Sequence, residues 1–233
     1  MLLAFSFAMG LRHALEPDHL AAVSTIVADR KSIWSSSLVG GMWGVGHTIA
    51  LLIAGIAVIA FNFQISEHLA TCLELGVGVM LFLLGAQTLW KVARGGDIHS
   101  HVHVHGGVVH LHPHVHNAEE VLTHAAPAAT HHGLKLSPKP LLVGLVHGLA
   151  GSGALMLVIL TTIRDAWTAI AYILIFGIGS IGGMMAMSLV IGLPFHLTAG
   201  RFRHAERYLR AAAGAFSIVF GIIWIATLLP DLI

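Results

Sequence analysis

Long stretches of apolar residues, separated by short polar segments, make up most of the chain. Six of these stretches are long enough for a helix to cross about 30 Å of hydrocarbon at about 1.5 Å per residue. The predicted spans cover residues 2–28, 37–61, 70–92, 140–163, 167–193 and 208–230. The pattern therefore predicts an all-α integral membrane protein with six transmembrane helices.

The composition also indicates that lipid is the solvent. Hydrophobic residues make up 56% of the chain and charged residues only 10%, whereas a soluble domain carries about 25% charged residues. A single cysteine, Cys72, excludes a disulfide framework and an all-cysteine metal site. A net charge of +1 gives no indication of nucleic-acid binding. The expected surroundings are a lipid bilayer, and no nucleic-acid partner is expected.

Basic residues are distributed unevenly between alternate loops. The loops on one side hold ten Lys and Arg residues, and those on the other side hold only Arg164. Cytoplasmic loops of membrane proteins carry the excess of Lys and Arg. The chain is therefore predicted to be a multi-pass protein of a bacterial-type cytoplasmic (inner) membrane, with both termini outside and the long loop 95–139 in the cytoplasm.

The two halves of the chain resemble each other in sequence. Three segments align: GLRHALEPDHLAAV (10–23) with GLVHGLAGSGALML (144–157), WGVGHT (43–48) with FGIGSI (176–181), and GVMLFLLG (78–85) with GAFSIVFG (214–221). Three spans per half is an odd number, so the second copy must be inverted, an arrangement typical of secondary transporters. We expect two inverted three-helix repeats, 1–94 and 140–233, joined by the loop 95–139.

The segment RHALEPDH (12–19) places ionisable side chains inside the first apolar stretch. Such groups are costly at membrane depth and are commonly functional. Pro17 lacks an N–H, so it distorts the helix. An unwound turn there can draw His13, Asp18 and His19 together and leave the carbonyl of His13 free. Two imidazoles and one carboxylate suit Ni(II), Co(II), Zn(II) or Cu(II), rather than Mg or Ca. The segment therefore predicts an intramembrane metal site.

Further polar residues are candidates for this site or for a pathway to it. His47 lies in GMWGVGHT, among glycines that allow helices to approach closely, and its place in the repeat, opposite Ser180, predicts a role as a ligand or as a gate. Glu16, His147 and Ser180 are candidate pathway residues. The alternative is a structural ion network, in which Arg12 pairs with Glu16 and neighbouring groups satisfy the histidines.

Two of these motifs carry a family resemblance. RHALEPDH fits the HX4DH signature of the nickel/cobalt transporter (NiCoT) family, and GVGHTIAL resembles that family's second motif. Outside 95–139, the chain most resembles the small six-span nickel permeases of the urease-accessory type. The resemblance implies that His13, Asp18, His19 and His47 bind the metal. The family's later acidic motifs are absent, and HGLAGSG stands at that place.

The loop 95–139 holds eleven of the eighteen histidines. Two HxHxHxH runs flank a Gly-Gly pair, and a two-residue turn there would pair His103 with His110 and His101 with His112 in a β-hairpin. The predicted metal-binding histidines of the loop are His99, His101, His103, His105, His110, His112, His114 and His116. A cytosolic loop of this kind is also a candidate docking site for a nickel chaperone.

These observations predict a transporter of divalent transition-metal ions, nickel first and cobalt second, that works by alternating access and favours uptake. Ni(II) or Co(II) is then the substrate, and no prosthetic group is expected. A nickel/cobalt efflux pump, a metal sensor and an intramembrane protease are the alternatives.

The sequence argues against an enzyme. The position two before Ser152 is Ala150 rather than the glycine of rhomboid-type proteases, the span 208–230 has no histidine, and no HExxH occurs. No ATP-binding loop of the G-x-x-x-x-G-K-[ST] type is present either. An ion gradient, the membrane potential or a separate ATPase would drive transport, and the oligomeric state stays open.

Overall fold

The fold is helical, with one short hairpin in the histidine-rich loop. A computed structural model describes residues 1–30, 32–61, 66–94, 98–105, 108–115, 138–149, 162–163, 165–198 and 202–232. The helices in these ranges are α1 (Leu2–His13), α2 (Pro17–Val27), α3 (Ile33–Phe61), α4 (Glu67–Ala93), α5 (Lys139–Gly148), α6 (Ala166–Thr198) and α7 (Arg203–Leu228), and a 3-10 turn (Leu229–Leu232) follows α7. The antiparallel hairpin consists of β1 (Ile98–His105) and β2 (Val108–Val115).

Four of the described helices are long and apolar enough to cross a membrane. They are α3, α4, α6 and the segment His204–Leu232, with mean hydropathy between 2.0 and 2.2. Each falls on one of the predicted spans, so the chain is a helical membrane protein. The helix α6 continues to Thr198, beyond the predicted end at residue 193. Pro194 removes one N–H from the helical ladder but does not end the helix.

The first predicted span consists of two helices with a break between them. Ala14 and Leu15 form a turn, and Glu16 has an extended backbone with φ −66° and ψ 146°. Pro17 then opens α2 at the first helical position, where its missing N–H costs nothing. The prediction that the carbonyl of His13 is free is wrong, because the backbone N–H of Glu16 donates to that oxygen at 3.1 Å. The break was predicted, but a tight turn satisfies the backbone.

The fourth predicted span, 140–163, is described at residues 140–149 and 162–163. The helix α5 covers Lys139–Gly148 and is ten residues long. Residues 150–161, which include the GSG segment, lie outside the described residues.

Glycines bring the backbones of α1 and α6, and of α3 and α5, into direct contact. A Cβ atom added to Gly10 on α1 would lie 2.1 Å from the carbonyl oxygen of Phe176 on α6. A Cβ atom added to Gly144 on α5 would lie 2.1 Å from the carbonyl oxygen of Trp43 on α3. No real Cβ makes contacts this short, so only glycine permits these two crossings.

The helices α4 and α7 meet in the same way. A Cβ atom on Gly85 would lie 2.5 Å from the carbonyl oxygen of Gly214, and one on Gly221 would lie 2.7 Å from that of Gly78. The hydroxyl of Ser217 donates to the carbonyl oxygen of Leu81 at 2.8 Å. Small residues at helix contacts are typical of membrane proteins, where packing rather than water exclusion joins the helices.

Candidate metal centre

Five buried polar side chains meet where α1, α2, α3 and α5 converge. They are His13 from α1, Asp18 and His19 from α2, His47 from α3 and His147 from α5. We call this set the histidine–aspartate cluster. None of the five residues is more than 7% exposed. The break between α1 and α2 places the last residue of one helix beside the first turn of the next, which is how His13 and Asp18 enter the same space.

Within the cluster, two sets of three residues bring their ligand atoms close enough to hold an ion. The Nε2 atoms of His13 and His47 lie 2.9 Å apart. One carboxylate oxygen of Asp18, Oδ1, lies 3.0 Å from Nδ1 of His19, and the other, Oδ2, lies 3.0 Å from Nε2 of His147. Two sets of three residues each place ligand atoms within 4.8 Å of one another: His13, His19 and His47, and Asp18, His19 and His147. His19 belongs to both sets.

The carboxylate of Asp18 fixes which nitrogens of His19 and His147 carry lone pairs. A carboxylate accepts a proton-bearing nitrogen, so Asp18 holds the N–H at Nδ1 of His19 and at Nε2 of His147. The opposite nitrogens, Nε2 of His19 and Nδ1 of His147, are then free to bind a metal. Carboxylate–histidine pairs of this kind orient metal ligands in proteins.

Several buried atoms of the cluster have no hydrogen-bond partner among the described residues. They are Nε2 of His19, Nδ1 of His47 and Nδ1 of His147. Each unsatisfied buried polar atom costs about 1–3 kcal/mol. Three of them in one cluster need an explanation, and a metal ion that takes up their lone pairs supplies one.

Aromatic rings and one further carboxylate surround the cluster. The Trp43 ring stacks on the His19 ring, with centroids 5.2 Å apart, and meets the His147 ring edge-on at 5.5 Å. Glu16 Oε2 lies 3.1 Å from Nδ1 of His13. Glu16 was predicted as a pathway residue, and its position beside a candidate ligand suits it to orient that imidazole. Trp43 was not predicted, although it precedes His47 by four residues and shares its helix face.

The remaining pathway candidate, Ser180, and a further histidine on α4, His68, lie outside the described contacts of the cluster. Ser180 is fully buried on α6, and within the described part of the chain its hydroxyl has no hydrogen-bond partner. Its backbone nitrogen packs against Gly10, so the described contacts do not join its side chain to the cluster. His68, on α4, has Nδ1 3.7 Å from Sγ of Cys72 and is separate from the cluster.

The histidine-rich loop forms the hairpin that the sequence predicts. In the register of β1 and β2, His103 lies opposite His110 and His101 opposite His112. His99 lies opposite His114, whereas His105 lies opposite Val108. The cross-strand pairs are therefore confirmed at the level of the backbone. His116 and the two glycines of the turn lie outside the described residues.

Comparison with known proteins gives one informative match. The chain is 37% identical over 222 residues to the urease accessory protein UreH of Bacillus sp. (strain TB-90), and the match covers 95% of this chain and 89% of the relative. This match confirms the resemblance to urease-accessory-type proteins, and an accessory role agrees with the prediction that the chain is not an enzyme. No family model matches the chain, and no solved structure matches it.

Proposed function

Because the chain belongs to the family of the urease accessory protein UreH, we propose that it transports divalent transition-metal ions across a membrane, nickel first and cobalt second. The histidine–aspartate cluster carries this proposal, since it combines four imidazoles and a carboxylate, and three of its buried nitrogens have no hydrogen-bond partner in the described part of the chain. Borderline nitrogen ligands with one hard oxygen ligand favour Ni(II) and Co(II) over Mg and Ca. His13, Asp18, His19 and His47 are the proposed ligands, and His147 joins them.

The depth of the cluster supports a transport site. His47 lies fourteen residues from each end of α3 (Ile33–Phe61), or roughly 21 Å at 1.5 Å per residue. Trp34 and Phe61, at the two ends of that helix, are 76% and 80% exposed. Tryptophan is enriched at membrane interfaces, so the exposed Trp34 is suited to one of them. The cluster is thus proposed to lie near the bilayer midplane, where secondary transporters bind their substrates.

We further propose six spans in two inverted repeats, residues 1–94 and 140–233. The helices α1 and α2 together would form the first span, and α5 would begin the fourth. The glycine contacts support this arrangement. Gly10 aligns with Gly144 and Trp43 with Phe176, and the contact of Gly10 with Phe176 has its counterpart in that of Gly144 with Trp43.

The proposed mechanism is alternating access with exchange of ligands inside the cluster. An ion bound by His13, His19 and His47 can pass to Asp18, His19 and His147 without leaving His19, because His19 belongs to both sets. Stepwise exchange avoids a bare ion at low dielectric, which would cost far more than either bound state. The histidine hairpin would then bind ions on the cytoplasmic side, and it is the proposed docking site of a nickel chaperone.

The direction of transport is tested by measuring cellular nickel. Cells that express the wild type and cells with an empty vector are compared at trace and at toxic external radiolabelled nickel. We expect the wild type to raise the nickel content at trace supply. A lower content at toxic supply would instead identify efflux, and no difference at either supply would contradict transport and favour a sensor.

Labelling of single cysteines tests the orientation in the membrane. Cys72 is the only cysteine, so Cys72→Ser gives a cysteine-free background. Ser66→Cys in that background, just before α4, is expected to react with a membrane-impermeant maleimide in intact cells. Ser32→Cys, just before α3, is expected to react only after the membrane is opened. The second site is expected inside because the excess of basic residues lies on that side. The reverse labelling pattern would contradict the proposed topology.

A further inference from the structure

A cavity of about 280 Å³ lies at the end of the bundle where α2 and α4 finish and α5 begins. Three basic side chains line it, one from each neighbouring segment: Arg30, Lys91 and Lys139. Gln87 and Asp29 also line the cavity, with a carboxamide and a carboxylate respectively. The cavity is separate from the histidine–aspartate cluster, which lies towards the opposite ends of α2 and α5.

The charges around the cavity do not cancel. The carboxylate of Asp29 contacts Nζ of Lys91 and lies 3.4 Å from Nη1 of Arg210. Arg210 also pairs with Glu206, at 2.7 Å. Among the described residues, the basic side chains of Arg30, Lys91 and Arg210 therefore outnumber the carboxylates of Asp29 and Glu206, and Lys139 lines the cavity as well. This excess of positive charge disfavours a metal cation and favours an anion.

The backbone adds to the positive potential at one wall. The helix α5 begins at Lys139 and has no side-chain cap. The first turn of a helix carries unsatisfied N–H groups and the positive end of the helix dipole, and anions bind there. The helix end and the basic side chains are independent features that favour the same class of ligand.

The position of the cavity, near the expected headgroup level of the bilayer, favours a lipid headgroup as its ligand. Trp90, next to the lining residue Lys91, is 58% exposed, and exposed tryptophan is typical of the headgroup level. The same end of the bundle carries the basic residues that predict the cytoplasmic side. Basic pockets between transmembrane helices on that side are suited to anionic lipid headgroups.

We propose that this cavity binds the phosphate of an anionic phospholipid. The bound headgroup would join the cytoplasmic ends of α2 and α5. The other ends of these helices carry Asp18 and His147, which contact each other at 3.0 Å. A lipid at this position holds the two helices together below the metal site.

The test measures lipid retention by the full-length chain. The protein is reconstituted in vesicles of equal parts phosphatidylcholine and phosphatidylglycerol, extracted, and examined by native mass spectrometry. The wild type is expected to retain phosphatidylglycerol. Since each basic residue near an anionic surface contributes about fivefold in affinity, the double variant Arg30→Gln/Lys139→Gln is expected to bind phosphatidylglycerol roughly 25-fold more weakly and to retain correspondingly less of it. Arg207→Gln, an exposed position on α7 outside the cavity, is the matched control and is expected to behave as the wild type.

A second arm separates the lipid from free phosphate. Inorganic phosphate is added to the protein in pure phosphatidylcholine, and thermal unfolding is followed. Stabilisation of the wild type alone, without retention of phosphatidylglycerol, would overturn the lipid and assign the cavity to the free ion. Equal lipid retention and equal phosphate response in the wild type and the double variant would overturn the site.

A folding control and a milder variant guard against loss of structure in the double variant. Far-UV circular dichroism checks that the double variant is folded, and Lys139→Gln alone replaces it if it is not. The readouts do not involve nickel, so failure here leaves the proposed transport standing, and failure of transport leaves the lipid site standing.

Discussion

His19→Ala is expected to reduce nickel accumulation to the level of cells that lack the protein. His19 is 1% exposed, belongs to both ligand sets, and has Nε2 without a partner among the described residues. Loss of a residue that merely orients a ligand costs about 10–100-fold in metal affinity or activity. Removal of a ligand shared by two positions should cost at least as much. Initial uptake of radiolabelled nickel at trace supply measures the effect.

His68→Ala is the matched control for this experiment. The same substitution is made on α4, at a histidine whose described contact is with Cys72 rather than with the cluster. Its uptake is expected to equal that of the wild type when both variants reach the membrane in equal amounts by immunoblot. Wild-type uptake by His19→Ala at equal protein would show that the cluster does not carry the ion.

Gly10→Ala is expected to destabilise the protein strongly for a change of one methyl group. The added Cβ would lie 2.1 Å from the carbonyl oxygen of Phe176 and 2.9 Å from the backbone nitrogen of Ser180. Backbone atoms cannot move aside as a flexible side chain does, so α1 must shift from α6. Overpacking costs about 1–3 kcal/mol, and each kcal/mol lowers Tm by about 2–4 °C in a protein of this size. Thermal unfolding in one detergent measures the change.

Gly182→Ala is the control on α6, since nothing lies within 4 Å of a Cβ at that position. Its Tm is expected to stay within about 2 °C of the wild type, or to rise, because alanine favours the helix over glycine by up to about 1 kcal/mol. Gly144→Ala meets the carbonyl oxygen of Trp43 at 2.1 Å and is expected to lower Tm as Gly10→Ala does. Equal Tm values for Gly10→Ala and Gly182→Ala would mean that the α1–α6 contact is not tight.

Local chemistry was enough to predict the break in the first span and the register of the hairpin. Proline removes an N–H wherever it occurs, so RHALEPDH indicated a break without knowledge of any neighbour. Alternating histidines around a short turn likewise fix which positions face each other. In both cases the relevant atoms lie within a few residues of one another in the chain.

The composition of the cluster depends on contacts between distant segments, which the sequence predicts less well. The alignment of the halves singled out His147, but its contact with Asp18 joins residues 129 positions apart. That contact exists because α5 crosses α3 at Gly46 and Gly144, where the backbones touch. The contacts of the Trp43 ring with His19 and His147 were not predicted for the same reason. The sequence shows an indole four residues before His47, and only the packed structure sets it against His19.

The broken first segment also bears on how the protein enters the membrane. Its two short helices and the break between them carry five ionisable side chains: Arg12, His13, Glu16, Asp18 and His19. Insertion of one Asp or Arg at the centre of a lone helix costs about 2.5–3.5 kcal/mol. The partners that offset this cost lie on α3 and α5, which the ribosome makes later. We therefore expect this segment to settle in the bilayer only after α3 and α5 have been made and can enclose it.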